Sequence, residues 1–198
     1  MKKFAKVMAF MLCAALLVCG GIFGTLAYLT STTDTVTNTF TFGSVSITLT
    51  ESKVDADGNP VAGADRVKEN EFKLIPGAEY TKDPTIFVGN ASEDCWIFVQ
   101  VKNGIKGIEG ATTIESQMSA NWTLVTGTTD VYAYKEVVSN NDVIPVFTKV
   151  TISGDVADFT NHGGVDYTGA TITVKGFAVQ ANGFATAEAA WTAANFTL

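Results

Sequence analysis

The chain has 198 residues and carries 13 basic and 20 acidic side chains, which gives a net charge of −7. This acidity disfavours binding to nucleic acid or to an anionic membrane surface, and the sequence contains no basic patch. The length suits one domain with a substantial hydrophobic core.

Residues 1–27 have the pattern of a signal peptide. Three lysines within the first six residues precede an uncharged apolar run over residues 7–23, and a small-x-small motif ends at Ala27. We therefore expect cleavage between Ala27 and Tyr28, and contact with the membrane only during export. Because the apolar run is long, an uncleaved N-terminal anchor is the alternative.

Removal of residues 1–27 would leave 10 basic and 20 acidic side chains, a net charge of −10, and Cys95 as the one cysteine. No disulfide could then form within the chain. Cys95 lies in an apolar strand pattern, so we interpret it as a buried small residue, with pairing between molecules as the alternative.

Residues 28–42 form the next segment, and in its second half a threonine at every second position alternates with Val36, Asn38, Phe40 and Phe42. Val36, Phe40 and Phe42 fall on one face of the predicted strand, and threonines occupy the other. After Gly43 the apolar positions shift by one residue, which indicates a bulge or hinge at this glycine. The segment can pair with a neighbouring molecule or within its own subunit.

Residues 43–198 read as one domain with many short strands separated by turn signals. The predicted strands include residues 44–51, 72–75, 80–88, 95–102, 122–125, 131–138, 143–152 and 170–180, the last with a bulge at Gly176. Thr186 can begin a short C-terminal helix. The fold class predicted is mainly β, an antiparallel jelly-roll-like β-sandwich with this helix packed on it.

The sequence contains few residues that could form a catalytic site. His162 is the one histidine, which rules out a zinc site with two histidines, and no serine lies in a nucleophile-elbow motif. Asp155, Asp158, His162 and Asp166 fall in one oxygen-rich loop, so Ca²⁺ or Zn²⁺ could bind there. A solvated acidic loop is the alternative, and otherwise we expect no cofactor.

Three stretches resemble a known family of exported proteins. They are GTLAYLTSTTDTVTNTFTFGSVSITLTE at residues 24–51, LIPGAEYTKDPTIFVGN at 74–90 and GFAVQANGFATAEAAW at 176–191. They are similar to the TasA, CalY and camelysin group of Gram-positive bacteria, which the signal peptidase SipW processes. The likeness covers the junction, residues 72–101 and residues 170–194, and the junction motif is the most specific of the three.

The resemblance implies a jelly-roll-like sandwich that is exported to the cell surface or the biofilm matrix. There the subunits would assemble into fibres, each inserting its N-terminal strand into the next subunit. The implied partners are a SipW-type peptidase, further copies of the chain, and other matrix proteins or polysaccharide.

Two other functions follow from the sequence as alternatives. Camelysin is labelled a metalloprotease, so a secreted metalloprotease is the first, although this chain lacks every zinc-protease motif. A calcium- or carbohydrate-binding adhesive module is the second. We expect a structural protein that is not an enzyme.

Overall fold

The computed structural model describes residues 3–8, 11–12 and 43–198. The chain divides into two units, Met1–Thr41 and Phe42–Leu198. The described residues of the first unit are helical. No helix in the described part of the chain has both the length and the apolar character that a membrane span requires.

The second unit is mainly β, and each of its described strand pairs is antiparallel. Its strands are β1 (Ile47–Thr50), β2 (Glu79–Thr81), β3 (Thr85–Val88), β4 (Cys95–Asn103), β5 (Trp122–Leu124), β6 (Val131–Tyr134), β7 (Val143–Pro145), β8 (Lys149–Thr151) and β9 (Ile172–Gln180). The helices are α1 (Ile114–Met118) and α2 (Ala187–Ala194), with a 3₁₀ turn at Lys106–Ile108.

The strands form three sheets. The largest has the order β5-β6-β4-β9, a second has the order β1-β3-β7, and β2 pairs with β8. Strands β5 and β6, both predicted from the sequence, form an antiparallel hairpin with Trp122 opposite Tyr134. The predicted strands over 80–88 and 143–152 are each two strands that lie in different sheets, β2 and β3 in the first case and β7 and β8 in the second.

Strand β4 is the centre of the largest sheet, and both of its faces are buried. Cys95, Ile97, Val99 and Val101 lie in the main core with residues of the other two sheets. Phe98 lies on the opposite face, in a second cluster that also contains Phe177. Both faces are buried because apolar residues occupy consecutive positions along this strand.

Helix α2 covers that second face. Thr186 is its N-cap and its hydroxyl accepts a hydrogen bond from the N–H of Ala189. Trp191 reaches the sheet, with its ring centroid 5.0 Å from that of Phe98 and 5.6 Å from that of Phe177. The prediction of a capped, amphipathic C-terminal helix is confirmed.

Two further sequence expectations for this unit are wrong. Residues 72–75 are not a strand, and Phe72 instead packs its ring edge-on against Tyr80. No bulge occurs at Gly176, because the β4–β9 register is continuous from Cys95↔Gln180 to Asn103↔Ile172. The apolar residues change phase there because the second face of β9 becomes covered by α2.

Candidate functional site: a cleft between two strand edges

Within the described residues, the side of strand β1 that faces away from β3 has no backbone partner along Ile47–Thr50, and at the next residue Glu51 pairs with Val67. The N–H groups of Gly89 and Glu93 donate to the carbonyls of Ser46 and Ser44, which fixes the even-numbered residues as those that bond toward β3. The backbone groups of Ile47 and Leu49 therefore point the other way. They offer an incoming strand a short row of donors and acceptors.

Strand β9 is an edge strand of the largest sheet, so it too has a strand partner on one side only among the described residues. Its other side pairs with β4, and the N–H of Gly104 donates to the carbonyl of Thr171. By alternation, the backbone groups of Ile172 and Val174 point outward. An edge of this kind is a template for strand addition.

A cleft of about 900 Å³ lies between these two edges. A Cβ atom added to Gly176 in β9 would lie 3.4 Å from Cδ1 of Ile47, so the two strands face each other across the core. Half-buried apolar side chains line the cleft, namely Leu49, Phe72, Leu74, Ala170, Ile172 and Val174. The site therefore combines unpaired backbone groups with an apolar floor.

One wall of the cleft is polar and carries an ion pair. Lys82 Nζ lies 2.7 Å from Oε2 of Glu51, with side chains 11% and 6% exposed. Asn70 Nδ2 donates to Glu51 Oε1 at 2.9 Å and to the carbonyl of Ser52 at 2.8 Å. Asn70 Oδ1 accepts from the N–H of Val54 at 3.1 Å. Among the described residues, no buried side-chain nitrogen or oxygen lacks a hydrogen-bond partner, and those of this cluster are included.

The long loop over residues 52–78 is fastened beside the cleft by Arg66. Its guanidinium donates to the side chain and the carbonyl of Asp83 and to the carbonyl of Thr50. Burial acts to raise the pKa of Asp83. Hydrogen bonds from Ser52 and Arg66, together with the charge of Arg66, outweigh it, so the pKa lies below the usual aspartate value.

Most of the residues predicted for export and assembly lie outside the described residues. These are Ala27, Tyr28, Val36, Phe40 and Phe42. Gly43 is described and exposed, and a Cβ at this position would lie 2.6 Å from Cγ of Glu93. The glycine thus allows the chain to pass close to the Glu93 side chain as it enters β1.

The loop predicted to bind a metal has its carboxylates engaged in local turns. Asp158 accepts hydrogen bonds from the hydroxyl and the N–H of Thr160, which lower its pKa, and Asp166 accepts from the N–H of Thr168. Asp155 is exposed, and the backbone of His162 pairs with that of Val165. In the described ranges, no three His, Cys, Asp or Glu residues are grouped so as to hold a metal.

Cys95, which the sequence analysis interpreted as a core residue, and Trp122 are both buried. Cys95 is fully buried, and burial raises the pKa of its thiol, as the interpretation of a small core residue requires. Trp122 is buried with its ring edge-on to Tyr134, at a centroid distance of 5.2 Å. This tryptophan is a core residue and not a platform for stacking on sugars.

Sequence reasoning missed the grouping of Glu51, Asn70 and Lys82. Glu51 ends an alternating strand and Asn70 lies in a polar loop, so each reads as a surface residue. The one signal was Glu51 itself, a charged residue in phase with Val45, Ile47 and Leu49 on the buried face.

Comparison with known proteins gives no relative. No family model matches the chain, no curated protein is significantly similar to it, and no solved structure matches its fold. Function is therefore argued from the geometry and from the sequence.

Proposed function

We propose that this protein is an exported structural protein that assembles into extracellular or biofilm-matrix fibres by strand exchange. Residues 28–42 of one copy add as a strand in the cleft between β1 and β9 of the next copy. The observation that carries the proposal is this cleft, with unpaired edges at Ile47, Leu49, Ile172 and Val174 and an apolar floor. The proposed architecture is a jelly-roll-like sandwich that the added strand completes.

The chemistry of the N-terminal segment suits this cleft. Val36, Phe40 and Phe42 would each contribute about 1.5–3 kcal/mol when buried against apolar side chains. The threonines opposite them would face solvent or the polar wall. The segment has 15 residues and reaches about 50 Å when extended, at about 3.3 Å per residue. It is therefore long enough to bridge two subunits.

The position of Gly43 allows donation to a neighbouring copy. The chain already runs beside Glu93 at Ser44, before β1 begins, whereas the cleft lies beside the far end of β1, at Leu49 to Glu51. A strand from the same subunit would need to reverse tightly at Gly43. Donation to the next copy needs no reversal, and repeated head-to-tail donation that does not close gives a filament.

In this proposal, a SipW-type signal peptidase cleaves between Ala27 and Tyr28 before assembly, because cleavage frees residues 28–42 to act as the donor strand. The mature protein is located in the matrix or at the cell surface of a Gram-positive bacterium, with other matrix proteins or polysaccharide as further partners. Assembly by strand addition requires neither a catalytic group nor a cofactor.

The test compares residues 28–198 with residues 43–198 by sizing and negative-stain electron microscopy, over a range of pH, salt and Ca²⁺. We expect filaments or a ladder of oligomers from the longer protein and monomers from the shorter one. Circular dichroism shows whether the shorter protein is folded. Monomers from both folded proteins, or filaments from both, would overturn the proposal.

A further inference from the structure

The polar wall of the cleft brings an amine, a carboxamide and a carboxylate together. Glu51 contacts both other groups with its two carboxylate oxygens: Oε2 lies 2.7 Å from Lys82 Nζ, and Oε1 accepts from Asn70 Nδ2 at 2.9 Å. These three side chains come from the end of β1, from the long loop and from the residue after β2. The fold alone brings them together.

The orientation of the Asn70 amide is fixed by the backbone. Its Oδ1 accepts from the N–H of Val54, and its Nδ2 donates to the carbonyl of Ser52 as well as to Glu51. The carbonyl oxygen therefore has a donor that can stabilise negative charge. The nitrogen that would leave faces the carboxylate.

The surroundings shield most of the amine from solvent. The Lys82 side chain is 11% exposed and that of Glu51 is 6% exposed. Lys82 Nζ lies 5.8 Å from the centroid of the Phe72 ring, which packs on Tyr80. The amine and the Asn70 amide thus contact the two oxygens of one carboxylate, and an adjacent general base is what activates a lysine nucleophile.

We propose that Lys82 and Asn70 join to form an intramolecular isopeptide bond, with Glu51 as the proton-transfer group. Glu51 accepts a proton from Lys82 Nζ, and the neutral amine attacks Cγ of Asn70. The oxyanion that forms on Oδ1 is stabilised by the N–H of Val54. Glu51 passes this proton to Nδ2, the bond between Cγ and Nδ2 breaks, and ammonia leaves. The attacking nitrogen gives its second proton to Glu51, which passes it to the ammonia, so that a neutral amide and an ammonium ion are the products.

The step balances without an oxidant or any second reagent. One N–C bond forms, one N–C bond breaks, and the charged lysine is replaced by an ammonium ion in solution. The product is a secondary amide between side chains 70 and 82. It covalently ties the long loop to the residue that follows β2, at the wall of the cleft. An exported chain whose one remaining cysteine is the buried Cys95 would gain a covalent strap without a disulfide.

Intact-mass measurement of the folded, purified protein tests the bond directly. The expected mass is lower than the sequence mass by one molecule of ammonia. Trypsin does not cleave after an acylated lysine, so digestion should give residues 69–73 joined to residues 74–102. Agreement with the sequence mass, with no joined peptide, would overturn the proposal and leave the group as an ion pair.

Variants assign the bond to these three residues. Lys82→Arg keeps the positive charge but cannot form the amide, so it should show the full sequence mass. Asn70→Asp should lose water in place of ammonia, or lose nothing. A deficit of ammonia that persists in either variant would overturn the assignment. Glu51→Gln should slow the mass loss at least tenfold during incubation, and an unchanged rate would refute its role.

Two controls exclude other causes of a mass that is lower by one ammonia. Lys149→Arg alters the exposed ion pair with Glu79 and should leave the ammonia deficit intact. Asn103 and Asn182 each precede a glycine and can lose ammonia by cyclising to a succinimide. If peptide mapping finds the deficit at Asn103 or Asn182 with residue 70 unmodified, the proposal fails. None of these results depends on fibre formation.

Discussion

Arg66 and Asp83 hold the long loop against the sheets: Arg66 Nη1 lies 3.1 Å from Asp83 Oδ2, and Nη2 donates to the Asp83 carbonyl at 2.9 Å. The loop residues that follow Arg66, from Val67 to Phe72, line the cleft. The shape of the proposed acceptor cleft therefore depends on this ion pair.

The first prediction concerns the pH dependence of stability. The pKa of Asp83 is lowered in the folded state, so its ionised form stabilises the protein above the unfolded aspartate value of about 3.9. This stabilisation is lost as the pH falls through the lower, folded pKa. Asp83→Asn should reduce the free energy of unfolding at pH 7, and the difference from wild type should shrink in acid.

Urea melts over a series from neutral to strongly acidic pH measure this difference. Asp65→Asn, at an exposed aspartate in the same loop, is the control and should track wild type. A destabilisation by Asp83→Asn that is equally large in strong acid would show that lost packing, and not the charge, is responsible.

The second prediction concerns the loop itself. Arg66→Lys keeps the charge but cannot reproduce the forked contacts to Thr50, Ser52 and Asp83. We expect cleavage after Glu69 or Glu71 by a glutamate-specific protease to become several-fold faster. Lys106→Gln breaks an exposed ion pair of 3.4 Å and should leave the rate unchanged. Equal rates in all three proteins would mean that Arg66 does not hold the loop.

The third prediction concerns helix α2. Trp191 contacts Phe98, Phe177 and Phe196, with ring centroids between 5.0 and 5.6 Å apart. Because Trp191 is only half-buried, Trp191→Ala should cost about 2–3 kcal/mol of unfolding free energy, somewhat below the usual cost for a buried tryptophan. Leu198→Ala, at an exposed position, is the control. A change below about 0.5 kcal/mol in the tryptophan variant would refute this role.

The fourth prediction concerns the apolar face of the proposed donor strand. Replacing both Phe40 and Phe42 by serine removes burial worth about 3 kcal/mol or more, which is about two orders of magnitude in association constant. Filaments should be lost at concentrations where wild type forms them. Thr39→Ser with Thr41→Ser alters the opposite face and should still assemble. Filaments of normal yield from the phenylalanine variant would exclude this face from the contact.

The sequence was sufficient for the mainly β class, for the two faces of β4 and for the cap of α2, because each follows from local periodicity or from one capping residue. It failed where tertiary contacts decide. The phase change at Gly176 reflects a helix that covers one half of β9, which no local pattern distinguishes from a bulge. The cleft could not be predicted either, because it lies between β1 and β9, which are more than 100 residues apart in the chain.

The same limit explains why the grouping of Glu51, Asn70 and Lys82 could not be foreseen. Each residue type is ordinary where it stands in the sequence. Their chemistry arises only when β1, the long loop and β2 come together at one wall of the cleft.

Mixing two assembly-deficient variants tests the central claim, strand donation between copies, most directly. One variant lacks residues 28–42 and keeps an open cleft. The other carries Ala170→Arg, which places a long charged side chain in the cleft but keeps the strand. Ala193→Arg, on the exposed side of α2, is the matched control and should still form fibres.

Each deficient variant should be monomeric alone, because one lacks the donor and the other lacks the acceptor. Their mixture should give a one-to-one dimer by light scattering and no fibres, since the chain ends after a single donation. A mixture that stays monomeric while both variants are folded would contradict donation between copies and would place the strand within its own subunit.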